Sequence, residues 1–139
     1  MNISSEEVAQ INKNTLYRTT GLKALFAGDG SAVCELRPTE DVCWPSPGQP
    51  HGGILFTQMD TTMAWAVLSA SGEGAGCATV NMEIQYPLPA RGPVFTCEAL
   101  VVHCSGRSCF VRGESRDEKG RLVAMAQATF RILRANVMA

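Results

Sequence analysis

One stretch limits the fold more than any other: HGGILFTQMDTTMAWA, from His51 to Ala66. Its apolar residues recur on nearly every side of a 3.6-residue period. It therefore predicts a long hydrophobic helix that needs cover all round rather than along one stripe. Beyond SGEGAG, residues 71–76, the period changes from 3.6 to 2. In TVNMEIQY, Val80, Met82, Ile84 and Tyr86 alternate with Asn81, Glu83 and Gln85, the pattern of a half-buried strand. PLPARGP ends that run. Three more strand-like runs follow at about 94–104, 108–116 and 121–133, separated by the turns Ser105-Gly106-Arg107 and Asp117-Glu118-Lys119-Gly120. A helix of about 18 residues spans roughly 27 Å, and a strand of eight or nine residues covers about the same length. With lengths so matched, the predicted architecture is an α+β domain in which an antiparallel sheet wraps one long central helix.

Ahead of the helix, residues 5–17 place Val8, Ile11 and Leu16 behind an acidic start at Glu6 and Glu7, which predicts one amphipathic surface helix. GLKALFAGDGSAVCELRP reads as a hairpin turning at Gly28-Asp29-Gly30, and the proline-rich TEDVCWPSPGQP reads as an irregular loop leading to His51. A length of 139 residues predicts a single domain over 1–139. With 45% apolar and only 18% charged residues, part of the surface is expected to be covered by copies of the same chain. The formal charge of −1 provides no broad electropositive field, which argues against nucleic acid as a partner. MNISSEEVAQIN lacks the basic, apolar and small-residue regions of a signal peptide, and no apolar run is long enough to span a membrane. A soluble, cytoplasmic protein is the expectation. The six cysteines, Cys34, Cys43, Cys77, Cys97, Cys104 and Cys109, form no C-x-x-C pair and are read as reduced, buried small hydrophobes.

Asp60 interrupts the apolar helix, and desolvating an unpaired carboxylate costs several kcal/mol. No cation lies one turn away, since positions 56, 57, 63 and 64 are Phe, Thr, Met and Ala. Either Asp60 meets a solvent gap or a distant arginine, or it belongs to a site. Gly53, Thr57, Asp60 and Ala64 fall on one seam of small or polar residues. At the top of the same helix, Gly52 and Gly53 leave amides without side-chain cover at the positive end of the macrodipole, where an oxygen gaining charge would be stabilised. The alternative is that His51-Gly52-Gly53 merely turns the chain into the helix. Eight residues, about 12 Å along the axis, separate Gly52 from Asp60, too far for one helix to act twice on a single carbonyl. Two antiparallel helices from two protomers would bring the amide of one to the carboxylate of the other, twice by symmetry.

The motif HGG, six residues, Asp, then a short run to alanine resembles the hotdog-fold acyl-CoA thioesterases, in particular the group containing the phenylacetate-pathway and 4-hydroxybenzoyl-CoA thioesterases. ATVNMEIQYPLPARG is similar to that family's strand after the helix, and GRLVAMAQATFRIL to its last strand; together these cover most of 48–133. The resemblance implies a hotdog fold, a homodimer or dimer of dimers, and hydrolysis of a coenzyme A thioester with no metal and no cofactor beyond the coenzyme A of the substrate. It casts the Gly52 amide as the group polarising the carbonyl and Asp60 of the partner chain as base or nucleophile, with Thr79 supplying a hydroxyl near that carboxylate. Gly53 belongs to the same helix tip. His51 is expected to orient the loop or assist at the carbonyl, and His103, inside a strand pattern, to be structural. Where many relatives carry Asn or Gln six residues before the histidine, this chain has Pro45; Gln49 or Ser46 are the nearby polar substitutes. Arg91, Arg107 and Ser108 lie in turns suited to the phosphates of coenzyme A. Phe56, Met59, Met63 and Trp65 serve either an acyl or aryl pocket or the core.

Two further functions fit the same motif. A hotdog enoyl-CoA hydratase or dehydratase would use His51 and Asp60 on the acyl chain itself, and a non-catalytic acyl-CoA binding protein would hold the ligand without cleaving it. The placement of HGG suits carbonyl polarisation better than either.

Overall fold

A computed structural model describes residues 2–134. The predicted helix is present as α3 (Gly52–Ala70), preceded by the short helices α1 (Ser5–Ile11) and α2 (Thr15–Thr20). Six strands follow the expected order: β1 (Leu22–Gly28), β2 (Ser31–Leu36), β3 (Gly76–Gln85), β4 (Phe95–Ser105), β5 (Ser108–Asp117) and β6 (Leu122–Leu133). They form one antiparallel sheet in the order β1-β2-β4-β5-β6-β3, so β3, the first strand after the helix, lies on the far edge beside β6. That placement leaves its other edge without a neighbouring strand.

The sheet packs on α3 through the alternate positions of its strands. Met59, Met63, Ala66 and Val67 of the helix meet Cys97 and Ala99 of β4, Cys109 and Val111 of β5, and Ala124, Ala126 and Ala128 of β6. Small residues dominate the strand side, which lets the helix sit close to the sheet. At Gly113 in β5 the approach is tightest, since a β-carbon there would collide with the Met59 sulfur.

One polar residue crosses this interface. Gln58 is completely buried on α3; its amide nitrogen donates to the carbonyls of Cys34 (3.3 Å) and Phe95 (3.1 Å), and its oxygen accepts from the Ser115 hydroxyl (2.8 Å). A single side chain thereby ties the helix to β2, β4 and β5. Buried polar groups are tolerated only when so paired.

Three expectations need correction. The helix anticipated over 5–17 is two helices, because both asparagines between them bond elsewhere. Asn12 exchanges a pair of hydrogen bonds with the Ala24 backbone (2.7 and 2.9 Å), while Asn14 caps the second helix by accepting from the Leu16 N–H (2.9 Å). In β3, Val80 does not share a face with Met82 and Ile84. The register with β6 skips it between Thr79 and Asn81, and the resulting bulge leaves Val80 64% exposed while Met82 and Ile84 pack on the core. Finally, Cys104 and Cys109 are joined in a disulfide, not reduced. They are directly opposed residues flanking the β4–β5 turn, with α-carbons 4.1 Å apart, a proximity that only the strand register creates. The other four are free thiols. Burial pushes Cys34 up to about 11 and Cys97 up to about 12, so neither ionises near neutrality.

The β1–β2 turn confirms the hairpin: Asp29 and Gly30 both have positive φ, 48° and 86°, as a two-residue turn that follows the strand twist demands. Among the described residues no helix is long and apolar enough to cross a membrane.

Replacing Gln58 with leucine keeps most of the volume but strands the Ser115 hydroxyl and two carbonyls. Gln58→Leu is expected to lower unfolding free energy by about 1–3 kcal/mol in urea titration; an unchanged midpoint would show that the network contributes nothing net.

Candidate active site

The helix begins where His51 ends the loop. As N-cap residue, His51 has extended backbone angles, and its Nδ1 accepts from the Gly53 N–H (2.9 Å). The histidine's observed role is to shape the helix tip. Gly53 has its amide committed to this cap. Gly52, one residue earlier, does not: among the described residues no acceptor meets its N–H, while its carbonyl accepts from the Tyr86 hydroxyl (2.8 Å). A β-carbon on Gly52 would stand 3.6 Å from the Tyr86 ring, ordinary contact. Tyr86, at the end of β3, thus pins the tip from the carbonyl side. The sequence gives no sign of this role beyond an aromatic residue closing an amphipathic strand.

Asp60 lies two turns down the helix, half-buried, and its Oδ1 accepts from the Thr79 hydroxyl (2.6 Å). The bulge at Val80 makes this contact possible. Side chains alternate strictly along a regular strand, so without the extra residue Thr79 would face away from the helix whenever Met82 and Ile84 face it. Expected from resemblance alone, Thr79 stands beside Asp60 because of this irregularity.

Cys77, two residues before Thr79, also faces the helix and lies 3.8 Å from the Ala64 carbonyl. Burial, reinforced by the negative charge of Asp60, pushes its thiol up to about 11. It is a neutral neighbour of the carboxylate and not a competing nucleophile.

The seam of Gly53, Thr57, Asp60 and Ala64 lies beside the edge strand β3, which meets it at Asp60 and Ala64; none of the four is buried. Thr57 returns its hydroxyl to the Gly53 carbonyl (3.0 Å). Phe56, 37% exposed, flanks the seam, whereas Met59 and Met63 are core residues without exposure. Trp65 is half-buried and donates its indole N–H to the Tyr17 hydroxyl (2.7 Å).

Other candidates are dispersed. Gln49 closes the loop before His51 through its backbone, its carbonyl accepting from the Trp44 N–H (2.7 Å) and its N–H donating to the Ser46 carbonyl (3.1 Å); its side chain makes no hydrogen bond among the described residues. Ser46 and Pro45 are exposed in that loop. Arg91 sits exposed just before β4, at the end of the sheet near Asp117 and Arg121. Arg107 and Ser108 occupy the turn at the other end of the same strand, with Ser108 opposite Ser105. Eleven residues of β4 put about 33 Å between the two ends, so Arg91 and Arg107 of one chain do not meet on one phosphate group. His103, exposed near the end of β4 opposite Phe110, takes no part in the helix site.

A long helix laid across one face of a six-stranded antiparallel sheet, with a carboxylate at mid-helix and a glycine-bearing tip, is the hotdog architecture. The family model of the thioesterase superfamily matches residues 48–124, a span holding the helix tip, Asp60 and Thr79, and the chain belongs to that superfamily. It is 31% identical over 97 residues to an esterase-named protein of Halobacterium salinarum, a match covering 65% of this chain and 64% of that one. Among solved structures, it is similar to a conserved protein of Pseudomonas aeruginosa, at 32% identity and a TM-score of 0.79 over 86% of this chain and 94% of that one. It is also similar to a thioesterase of Haemophilus influenzae, where 16% identity, a TM-score of 0.87 and coverage of 97% and 94% show the shared fold.

The buried thiol supplies a test of the local environment. In Cys77-only variants of the free thiols, alkylation by iodoacetamide at pH 8 is expected to be slower than for a free cysteine by at least about tenfold, since thiolate reactivity follows the thiol pKa. Rapid labelling in the folded protein would contradict the burial described.

Proposed function

We propose that the protein is an acyl-CoA thioesterase acting as a homodimer. The observation carrying this reading is the carboxylate of Asp60, held by Thr79 and only half-buried beside the exposed residues of the edge strand. Coverage of that edge calls for a second copy. Ala78, Thr79, Val80 and Asn81 are exposed on the edge strand, and Phe56 and Tyr86 add apolar surface beside them. Two such edges meeting antiparallel about a two-fold axis satisfy the open backbone groups of β3 and lay the two helices side by side.

In that pair the Gly52 amide of one chain approaches Asp60 of its partner. The Arg91 end of one sheet also comes beside the Arg107 end of the other, so the two arginines and Ser108 flank one nucleotide only across subunits. The thioester carbonyl accepts from the Gly52 N–H at the positive end of the helix. Asp60, with Oδ1 fixed by Thr79, uses its remaining lone pairs to take a proton from water. Hydroxide adds to the carbonyl carbon, the oxyanion is stabilised by the amide, and the C–S bond breaks to release the carboxylic acid and coenzyme A, whose thiolate takes up the proton. Direct attack by Asp60 through an anhydride yields the same products. Water, one carboxylate and one amide suffice, and the reaction uses no metal or cofactor.

His51 fits this scheme as the cap that fixes the helix tip. Its Nδ1 is already engaged with Gly53.

Thiol release from a panel of acyl- and aryl-CoA substrates tests the activity. Asp60→Asn is expected to lower kcat by at least about 100-fold, in line with the usual contribution of a general base, with dimer and fold unchanged. Full retained turnover would remove Asp60 from the reaction, and ligand binding without thiol release across the panel would favour a non-catalytic binder. Thr79→Val, which frees the carboxylate from its anchor, is expected to reduce kcat by about tenfold while changing KM little.

A further inference from the structure

α3 and β3 are joined by a short loop and lie side by side in opposite directions, so their contacts form rungs. Asp60 meets Thr79, and one turn further Ala64 meets Cys77. A turn beyond that, Leu68 and Ala75 both line the wall of a cavity of about 750 Å³, bounded on its other side by α1 and α2. Ile3, Ile11, Tyr17 and Trp65 make up much of its remaining surface. We propose that this cavity receives the far end of an apolar acyl chain whose thioester lies at Asp60, and that the substrates are medium- to long-chain acyl-CoAs rather than compact aryl-CoAs. This rests on the thioesterase reading above.

Length is the first argument. Asp60 and Leu68 are eight residues apart, about 12 Å along the helix. With C–C bonds of about 1.5 Å, an extended chain needs on the order of ten carbons to cover that distance. The ring of a benzoyl or phenylacetyl group ends within about five bonds of its carbonyl and stops short of the cavity.

Chemistry is the second. The Tyr17 hydroxyl already accepts from the Trp65 N–H (2.7 Å), and burial holds it in its neutral form. The charged residues at the cavity, Glu7 and Lys13, belong to its outer rim and have partners on their own segment. Glu7 accepts from the Ser4 backbone and hydroxyl (both 2.9 Å), and Lys13 donates to Gln10 (3.4 Å). A largely apolar lining of this size with a polar rim suits an alkyl tail. Between Asp60 and the cavity the helix and the strand present Ala64 and Cys77, both small and neither fully buried. α1 and α2 therefore act as the outer wall of a specificity pocket, held to α3 by the Tyr17–Trp65 bond.

Substitutions that fill the cavity test this. In the full-length protein, kcat/KM would be measured for butyryl-, octanoyl-, dodecanoyl- and phenylacetyl-CoA, and dodecanoate binding would be followed by calorimetry, which needs no catalysis. The wild type is expected to prefer dodecanoyl- over butyryl- and phenylacetyl-CoA. In Leu68→Trp the dodecanoyl-to-butyryl ratio should fall at least about tenfold, with a matching loss of dodecanoate affinity; Ala75→Leu serves if the tryptophan variant does not fold. An unchanged ratio and affinity in a folded filled variant overturns the proposal, as does a wild type that prefers phenylacetyl-CoA or binds no dodecanoate. If no thioester is cleaved yet dodecanoate binding is lost on filling, the cavity assignment stands and the hydrolase reading falls.

Discussion

A helix that is greasy around its whole circumference has to be covered on every side, and one sheet cannot do that. Here α3 gives its Met59, Met63 and Val67 face to the sheet, and the shorter helices reach it near Trp65. Along the seam of Gly53, Thr57, Asp60 and Ala64 the cover is partial: Thr79 and Cys77 of β3 meet it, and none of its residues is buried. The same seam carries the only acidic side chain on the helix. In the proposed dimer the half-covered stripe and the carboxylate are one feature: a charged group placed where two copies of the chain meet makes the interface and the reaction site depend on each other.

The long elements were legible because their periods are unambiguous. The apolar helix, the Asp29-Gly30 turn and the four later strands stand within a few residues of where alternation and turn residues put them. What was hidden depends on contacts distant in sequence. The break between α1 and α2 arises because Asn12 finds the Ala24 backbone, and a helix pattern cannot reveal a partner twelve residues away. The Cys104–Cys109 bond follows from strand register rather than from cysteine spacing. Gln58 carries no sign in the sequence of the three partners that the folded sheet supplies.

The candidate site shows the same division. Asp60 was conspicuous because no cation lies one turn away on a mostly apolar helix, and Gly52 because a Gly-Gly pair opens that helix. Thr79 was available only by resemblance. Its contact needs a β-bulge, which the alternating pattern of Val80, Met82 and Ile84 masks by appearing regular in sequence. Tyr86 escaped because nothing in a strand-ending aromatic residue announces a hydrogen bond to a helix tip. Site chemistry is thus written partly in residue type and partly in an irregularity whose purpose is visible only in three dimensions.

The central claim is that Gly52 of one chain works with Asp60 of the other. Gly52→Pro removes the amide at the first helical position, where proline is well tolerated, and His51 already has the extended conformation that a following proline requires, with φ −54° and ψ 141°. Neither Gly52→Pro nor Asp60→Asn homodimers should turn over substrate. After unfolding together and reassembling in equal amounts, half the dimers are mixed, and each mixed dimer holds one site with both native groups. The account predicts recovery of about one quarter of wild-type thiol release. No recovery from a mixture shown to contain the heterodimer would contradict it.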